Sequence, residues 1–216
     1  MAADNLLKVL QVDPHWIIVN KPSGLLAVPG KGPDKQDCLS SRVQRVYADA
    51  LIVHRLDMAT SGLMVLARGP DAQRKLSAAF ADRRVHKRYT AVVHGLLPAA
   101  YSDWQTIDLP ISVDWPNRPL RVIDPVNGKP SATRVRILKS DTTTLTTRLA
   151  LEPITGRSHQ LRVHLKALGY PILGDALYAP SDVVALAPRL LLHATFLQLP
   201  HPIHGTPMDF ACDAPF

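Results

Sequence analysis

Apolar residues along this chain fall into short runs separated by turn residues, and two spacings recur. Leu6 to Val12 and Trp16 to Asn20 read as two strands split by the turn signal Asp13-Pro14. Gly62 to Arg68, Tyr89 to His94 and Leu190 to Leu199 read as further strands. Thr133 to Lys139 and Thr144 to Leu151 are β-rich and predict a hairpin across Ser140-Asp141. Helical spacing appears in three places. Asp37 or Ser40 caps a helix through about Ala50, with Leu39, Val43 and Val46 on its apolar face. Asp71 to Arg83 carries Leu76, Ala79 and Phe80 at the spacing of one buried stripe. Ser158 fits an N-cap before Leu161, Leu165 and Leu168, with Gly169 as the stop and Pro171 just beyond. Trp104 to Arg118, rich in proline and tryptophan, reads as a loop with short extended pieces.

Strands come in antiparallel-type runs with helices scattered among them. There are no regularly spaced βαβ units and no internal repeat. The expected class is therefore α+β: one domain, residues 1–216, on a mixed, mostly antiparallel sheet. Composition agrees. The chain has 216 residues, 46% hydrophobic and 20% charged, and is long enough to bury a substantial core. Its 19 prolines favour many short strands over a helical bundle. The formal net charge of +7 favours polyanionic partners. Cys38 and Cys212 form no Cys-x-x-Cys pair, which removes support for structural zinc or a redox motif. Met1 to Asn5 has no basic leader region, and no apolar run approaches the ~18 residues of a membrane span. A cytoplasmic protein without a membrane partner is expected.

Chemistry concentrates in His54-Arg55-Leu56-Asp57-Met58-Ala59-Thr60-Ser61-Gly62, between two apolar runs. An aspartate held beside an arginine in a cleft stays ionised and oriented; a plain loop salt bridge is the bland alternative. The run Arg83-Arg84-Val85-His86-Lys87-Arg88 places four fixed positive charges before Tyr89. Such a run is either a solvated face or a phosphate-contacting surface, and Lys21, Arg118, Arg121 and Lys129 extend the latter. Nine histidines raise the question of a metal. His159 and His164 are five apart and cannot share one helix face, so no metal is expected. Neither a Gly-x-Gly-x-x-Gly nor a P-loop is present, and no cofactor is expected.

The nonapeptide at 54–62 resembles the signature of the RluA-type pseudouridine synthases. Other stretches match that family in order: Asn20-Lys21-Pro22-Ser23-Gly24 with Val28-Pro29-Gly30, Lys87-Arg88-Tyr89, and Gly156-Arg157-Ser158-His159-Gln160-Leu161-Arg162. Gly174-Asp175 and Leu191-Leu192-His193-Ala194 also fit. The family divides into members with and without an amino-terminal S4-type RNA-binding domain. A first motif beginning at Asn20 resembles those without one. Met58-Ala59 and Asp114-Trp115-Pro116-Asn117-Arg118-Pro119 resemble the dual-specificity members, as does the stretch from Ala187 to Ala194. These modify a uridine in a hairpin loop of 23S-type large-subunit rRNA and one in the anticodon loop of tRNAs.

The resemblance implies a twisted sheet of about eight strands with flanking helices. It implies an isomerase that breaks a C–N glycosidic bond, turns the uracil and rejoins it through carbon. Asp57 would be the catalytic carboxylate, attacking C1′ or removing a proton from C2′. Arg157 would form a salt bridge with Asp57, Tyr89 would stack on the target base and assist proton transfer, and Leu161 would pack on the base's other side. Arg55 would fill the space left by the flipped nucleotide, or else pair with a neighbouring acid. Arg83, Arg84, Lys87 and Arg88 would contact phosphates. RNA stem-loops are the expected partners, and a monomer suffices for such a site. A non-catalytic RNA-binding protein of this fold, and a glycosidic hydrolase using Asp175 as a second carboxylate, are the competing readings.

Overall fold

The structure, a computed structural model, describes residues 7–216. The readings of Met1 to Asn5 and of Leu6 as a strand residue lie outside the described residues. In chain order the regular elements are β1 (Lys8–Val12), β2 (Trp16–Lys21), α1 (Leu39–Gln44), β3 (Ala50–Ile52), β4 (Ser61–Arg68), α2 (Gly69–Ala81), β5 (His86–His94), β6 (Gln105–Asp108) and β7 (Ile111–Val113). They continue with β8 (Arg121–Ile123), β9 (Ala132–Asp141), β10 (Thr146–Pro153), α3 (Gln160–Ala167), α4 (Ser181–Ala185), β11 (Leu192–Pro200) and β12 (Pro207–Ala211). The mixed, mostly antiparallel architecture expected from sequence is present. The strands outnumber the expected eight because pieces as short as the three residues of β3, β7 and β8 leave no periodic signal. No helix among the described residues is long and apolar enough to cross a membrane. The described residues fall into two compact units, one up to Lys87 and from His193 to Pro215, the other from Arg88 to Leu192 with Phe216.

In the first unit β4 is central. β2 runs antiparallel along one edge of it, from Trp16 opposite Ala67 to Lys21 opposite Gly62, and β1 pairs with β2. The other edge of β4 is shared by β3, antiparallel, and β11, parallel at Ser61 and Gly62, and β12 adds to β11. Trp16 to Val19 and Leu63 to Ala67 are at most 2% exposed, so their unbroken apolar runs are core on both faces. A Cβ on Gly62 would meet the backbone N and O of Ala194 at 2.4 Å, so β11 approaches β4 across a residue that must be glycine.

The predicted helix through Ala50 is shorter in the structure. α1 ends at Gln44 because the chain must turn to enter β3 at Ala50, and Val46 is left 66% exposed. Its cap is neither Asp37 nor Ser40. The Cys38 thiol accepts from the Ser41 N–H at 3.5 Å, and Ser41 Oγ accepts from the Cys38 N–H at 3.2 Å. α2 ends at Ala81 rather than Arg83. The Arg84 N–H donates to Ala79 O and the Arg83 N–H to Phe80 O, with Arg83 at φ 58, a Schellman ending.

In the second unit the strands lie in the order β5, β10, β9, β6, all antiparallel. The predicted hairpin is β9–β10, with its turn at Thr142 to Leu145. α3 packs on β9 and β10, and β7–β8 forms a separate hairpin against α3. Gly169, at φ 86, ends α3 as expected, with Tyr170 N–H donating to Leu165 O. Ser158 is not its N-cap. That position is His159, in the left-handed conformation, without a side-chain cap. The Gln160 side chain does the work instead, its Oε1 accepting from the Arg157 N–H at 3.0 Å and its Nε2 donating to Ala132 O at 2.9 Å.

Candidate active site

Asp57 lies half-buried on the loop joining β3 to β4. Both flanking strands pair with each other, so the loop is closed at its base by sheet hydrogen bonds. At its start, His54 Nε2 accepts the Val65 N–H at 3.1 Å, and the ring stacks on Phe80 of α2 with centroids 4.5 Å apart. Burial, and then the Lys87 charge, depress the His54 imidazolium from 6.5 to about 3. Near neutrality His54 is therefore an uncharged acceptor with its proton on Nδ1, and it anchors the loop.

Past Asp57 the loop is clamped by the first motif. Lys21 Nζ donates to Met58 O at 3.0 Å, and also to Pro22 O at 2.8 Å and Leu25 O at 2.7 Å. Gly24 N–H donates to the same Met58 carbonyl at 2.9 Å, and Ser23 Oγ donates to Ala59 O at 2.7 Å. The carbonyls of the two residues following Asp57 are thus fixed by Lys21, Ser23 and Gly24. A buried ammonium is stabilised only when carbonyl or charged partners replace its water. Lys21 is 0% exposed, so it does not extend a cationic surface as its charge had suggested. Arg55 is exposed and, among the described residues, makes no hydrogen bond or ion pair.

In the second unit, Tyr89 stands on β5 opposite Leu151 of β10. Side chains of directly opposed residues share a sheet face and alternate along each strand. Tyr89 therefore shares a face with Leu151, Val135 and Thr133, which is the face α3 covers, since Thr133 Oγ1 bonds Gln160 and His164. Leu161, 7% exposed, lies in the first turn of α3, and Arg157 precedes that turn with its Nε donating to Pro130 O at 3.3 Å. Tyr89 and the stretch from Gly156 to Arg162 are thereby brought to one side of this sheet.

The residues of the basic run lie in different surroundings. Arg83 is exposed at the end of α2, and exposed Arg84 pairs with Asp82 at 3.3 Å. Lys87 is partly buried, and that burial lowers its pKa. Arg88 lies on the sheet face opposite Tyr89, where it pairs with Glu152 at 2.7 Å. Glu152 also holds Arg134 at 2.9 Å. Asp175 is engaged by buried Arg162 through contacts of 2.9 and 2.6 Å, so it closes an ion pair rather than facing open space. Of Arg162, Gln160 and the Lys21 clamp, sequence reading had assigned none. Each is a polar residue whose buried partner lies far along the chain or behind a turn. No cluster of three histidine, cysteine or acidic side chains suited to a metal occurs among the described residues.

Residues 15–167 match the model of the RNA pseudouridylate synthase family. The chain belongs to that family. A dual-specificity RNA pseudouridine synthase RluA of Yersinia pestis is 49% identical over 208 residues, spanning 96% of this chain and 99% of that protein. The protein of the same name from Escherichia coli strain K12 is 47% identical over 210 residues, spanning 97% and 94%. The solved structure of human RNA pseudouridylate synthase domain containing 1 superposes with a TM-score of 0.80 at 27% identity, covering 98% of this chain and 84% of that one. This pseudouridine synthase is therefore an isomerase acting on RNA, of the RluA family, and the matched span takes in the stretches at 20–30, 54–62, 87–89 and 156–162 described above.

Proposed function

We propose that the enzyme converts a uridine in a hairpin loop of 23S-type large-subunit rRNA and one in the anticodon loop of tRNAs, working in the cytoplasm. The observation that carries this reading is the full-length likeness, at 47–49% identity, to proteins named for dual-specificity RNA pseudouridine synthesis. Activity on one RNA class alone is the alternative.

Asp57 is the reacting carboxylate. It either attacks C1′ of the ribose or takes the C2′ proton to give a glycal; in both routes the C1′–N1 bond breaks. The uracil turns and C5 bonds to C1′; this breaks the Asp57–C1′ ester of the first route, and in the second the proton held by Asp57 returns to C2′. The C5 proton then leaves and N1 gains one, so Asp57 is regenerated and the net change is an isomerisation without redox. Arg157 keeps Asp57 ionised, Tyr89 and Leu161 sandwich the base, and Tyr89 assists the proton transfer. Arg55, exposed beside Asp57, fills the position vacated by the flipped nucleotide. The clamp by Lys21, Ser23 and Gly24 supports this reading, because a carboxylate that must meet one ribose carbon needs a fixed backbone.

Asp57→Asn is the test of mechanism. The variant is expected to fold, to bind stem-loop RNA and to form no pseudouridine by mass spectrometry; full activity would remove Asp57 from the chemistry. Mapping pseudouridine in rRNA and tRNA from cells with and without the gene tests the substrates. Loss of one large-subunit site together with anticodon-loop sites is expected, and loss in one class only would favour the alternative.

A further inference from the structure

The three tryptophans meet different fates. Trp16 is fully buried in the first unit. Trp104 is partly buried, with the guanidinium groups of Arg88, Arg134 and Arg136 at 5.9, 4.7 and 5.0 Å from ring centroids. Trp115 is 66% exposed at the tip of the β7–β8 hairpin. An indole left in water forfeits a large hydrophobic gain, so its exposure calls for a partner.

The tip that presents Trp115 is a built turn. The Asp114 carboxylate accepts from the Asn117 N–H at 3.3 Å and from Asn117 Nδ2 at 3.1 and 3.0 Å. Asp114 N–H donates to Leu120 O at 3.1 Å, and Leu120 N–H donates back to Asn117 O at 3.0 Å. Arg118 Nε donates to Trp115 O at 3.3 Å, and its guanidinium lies 4.8 Å from the Trp115 ring. One face of the indole is thus covered by a cation, and the rest is offered to solvent. The hairpin is anchored on the helix of the third motif: Ile111, Leu120 and Ile123 pack with Val163 and Tyr178, and Tyr178 Oη accepts the Arg121 N–H at 3.0 Å. Its two acids, Asp114 and Asp124, are spent on turn N–H groups, while Arg118 and Lys129 stay exposed.

We propose that Trp115 is a specificity-determining residue that stacks on an unpaired base in the loop of the RNA substrate, with Arg118 behind the ring and available to the adjoining phosphate. The proposal deepens the function above and rests on the substrate being an RNA loop. Stacking uses the π-face every base has, so it holds a loop without dictating its sequence. That property suits an enzyme serving two different loops. A duplex offers no unpaired base, so the gain is confined to loops.

The experiment compares the wild type, Trp115→Ala, Trp115→Phe and Arg118→Ala as full chains. Anisotropy of labelled RNA reads binding to an anticodon-type stem-loop and to a blunt duplex of the same stem, and pseudouridine formation is followed in parallel. Trp115→Ala is expected to weaken stem-loop binding about 5- to 100-fold and duplex binding by less than about twofold. Trp115→Phe is expected to recover most of the loss, and the kinetic effect to fall on KM rather than kcat. Arg118→Ala is expected to lose part of the affinity and of its salt dependence. Unchanged stem-loop binding by Trp115→Ala, or equal losses on stem-loop and duplex, would overturn the proposal and leave the indole to a protein partner or to folding. A wild type that binds the stem-loop without modifying it would instead defeat the substrate assignment, and the binding comparison would still decide the role of Trp115.

Discussion

His54 and Lys21 hold the Asp57 loop from its two sides through hydrogen bonds to backbone groups. His54 accepts a strand N–H that only a neutral ring can receive, which ties the loop to pH. Its folded-state pKa lies below the 6.5 of the unfolded chain, so unfolding takes up a proton as the pH drops. The stabilisation is whole above about pH 6.5 and is lost progressively as the pH falls toward about 3, at up to ~1.4 kcal/mol per pH unit. Urea unfolding between pH 7 and about 4 should show this loss in the wild type. A flatter profile is expected in His54→Gln, whose amide oxygen can accept without titrating. Superimposable profiles would mean that His54 is not the titrating anchor. At this scale the sequence assigned Lys21 to the wrong environment. The lysine's three carbonyl partners include one 37 residues away, which local composition cannot display.

Among the elements, the strands of the core and the end of α3 were readable because their signals are local: continuous apolar runs, and a glycine after a helical stripe. The boundaries that moved were set by chain geometry. α1 stops where β3 must begin, and α2 stops two residues early because Arg83 takes the left-handed position usually held by glycine. A non-glycine residue there carries strain of about 1 kcal/mol or more. Arg83→Gly should therefore raise the unfolding free energy by about 0.5–1 kcal/mol, net of the extra freedom glycine gains when unfolded. A loss of that size in urea titration would show that the Arg83 side chain contributes more packing than its exposure implies.

For the molecule as a whole, the net charge of +7 is expected to make RNA affinity salt-dependent, and exposed Arg83 and Arg84 are expected to carry part of that dependence. Arg83→Ala with Arg84→Ala is expected to weaken RNA binding and to reduce the slope of log affinity against log salt by up to about 2. An unchanged slope would remove both from the interface. The motifs carried the enzyme's family and its class of activity, because a family signature is held in short stretches at fixed spacings. The tertiary structure alone decided which charges are buried, paired or presented. It buried Lys21 under three carbonyls, closed Arg162 onto Asp175, turned Arg88 to the face opposite Tyr89, and left Trp115 in solvent. Those outcomes depend on pairings between residues up to 64 positions apart, such as Arg88 with Glu152. A side chain's environment is made by neighbours in space, and these come together only when the sheets form.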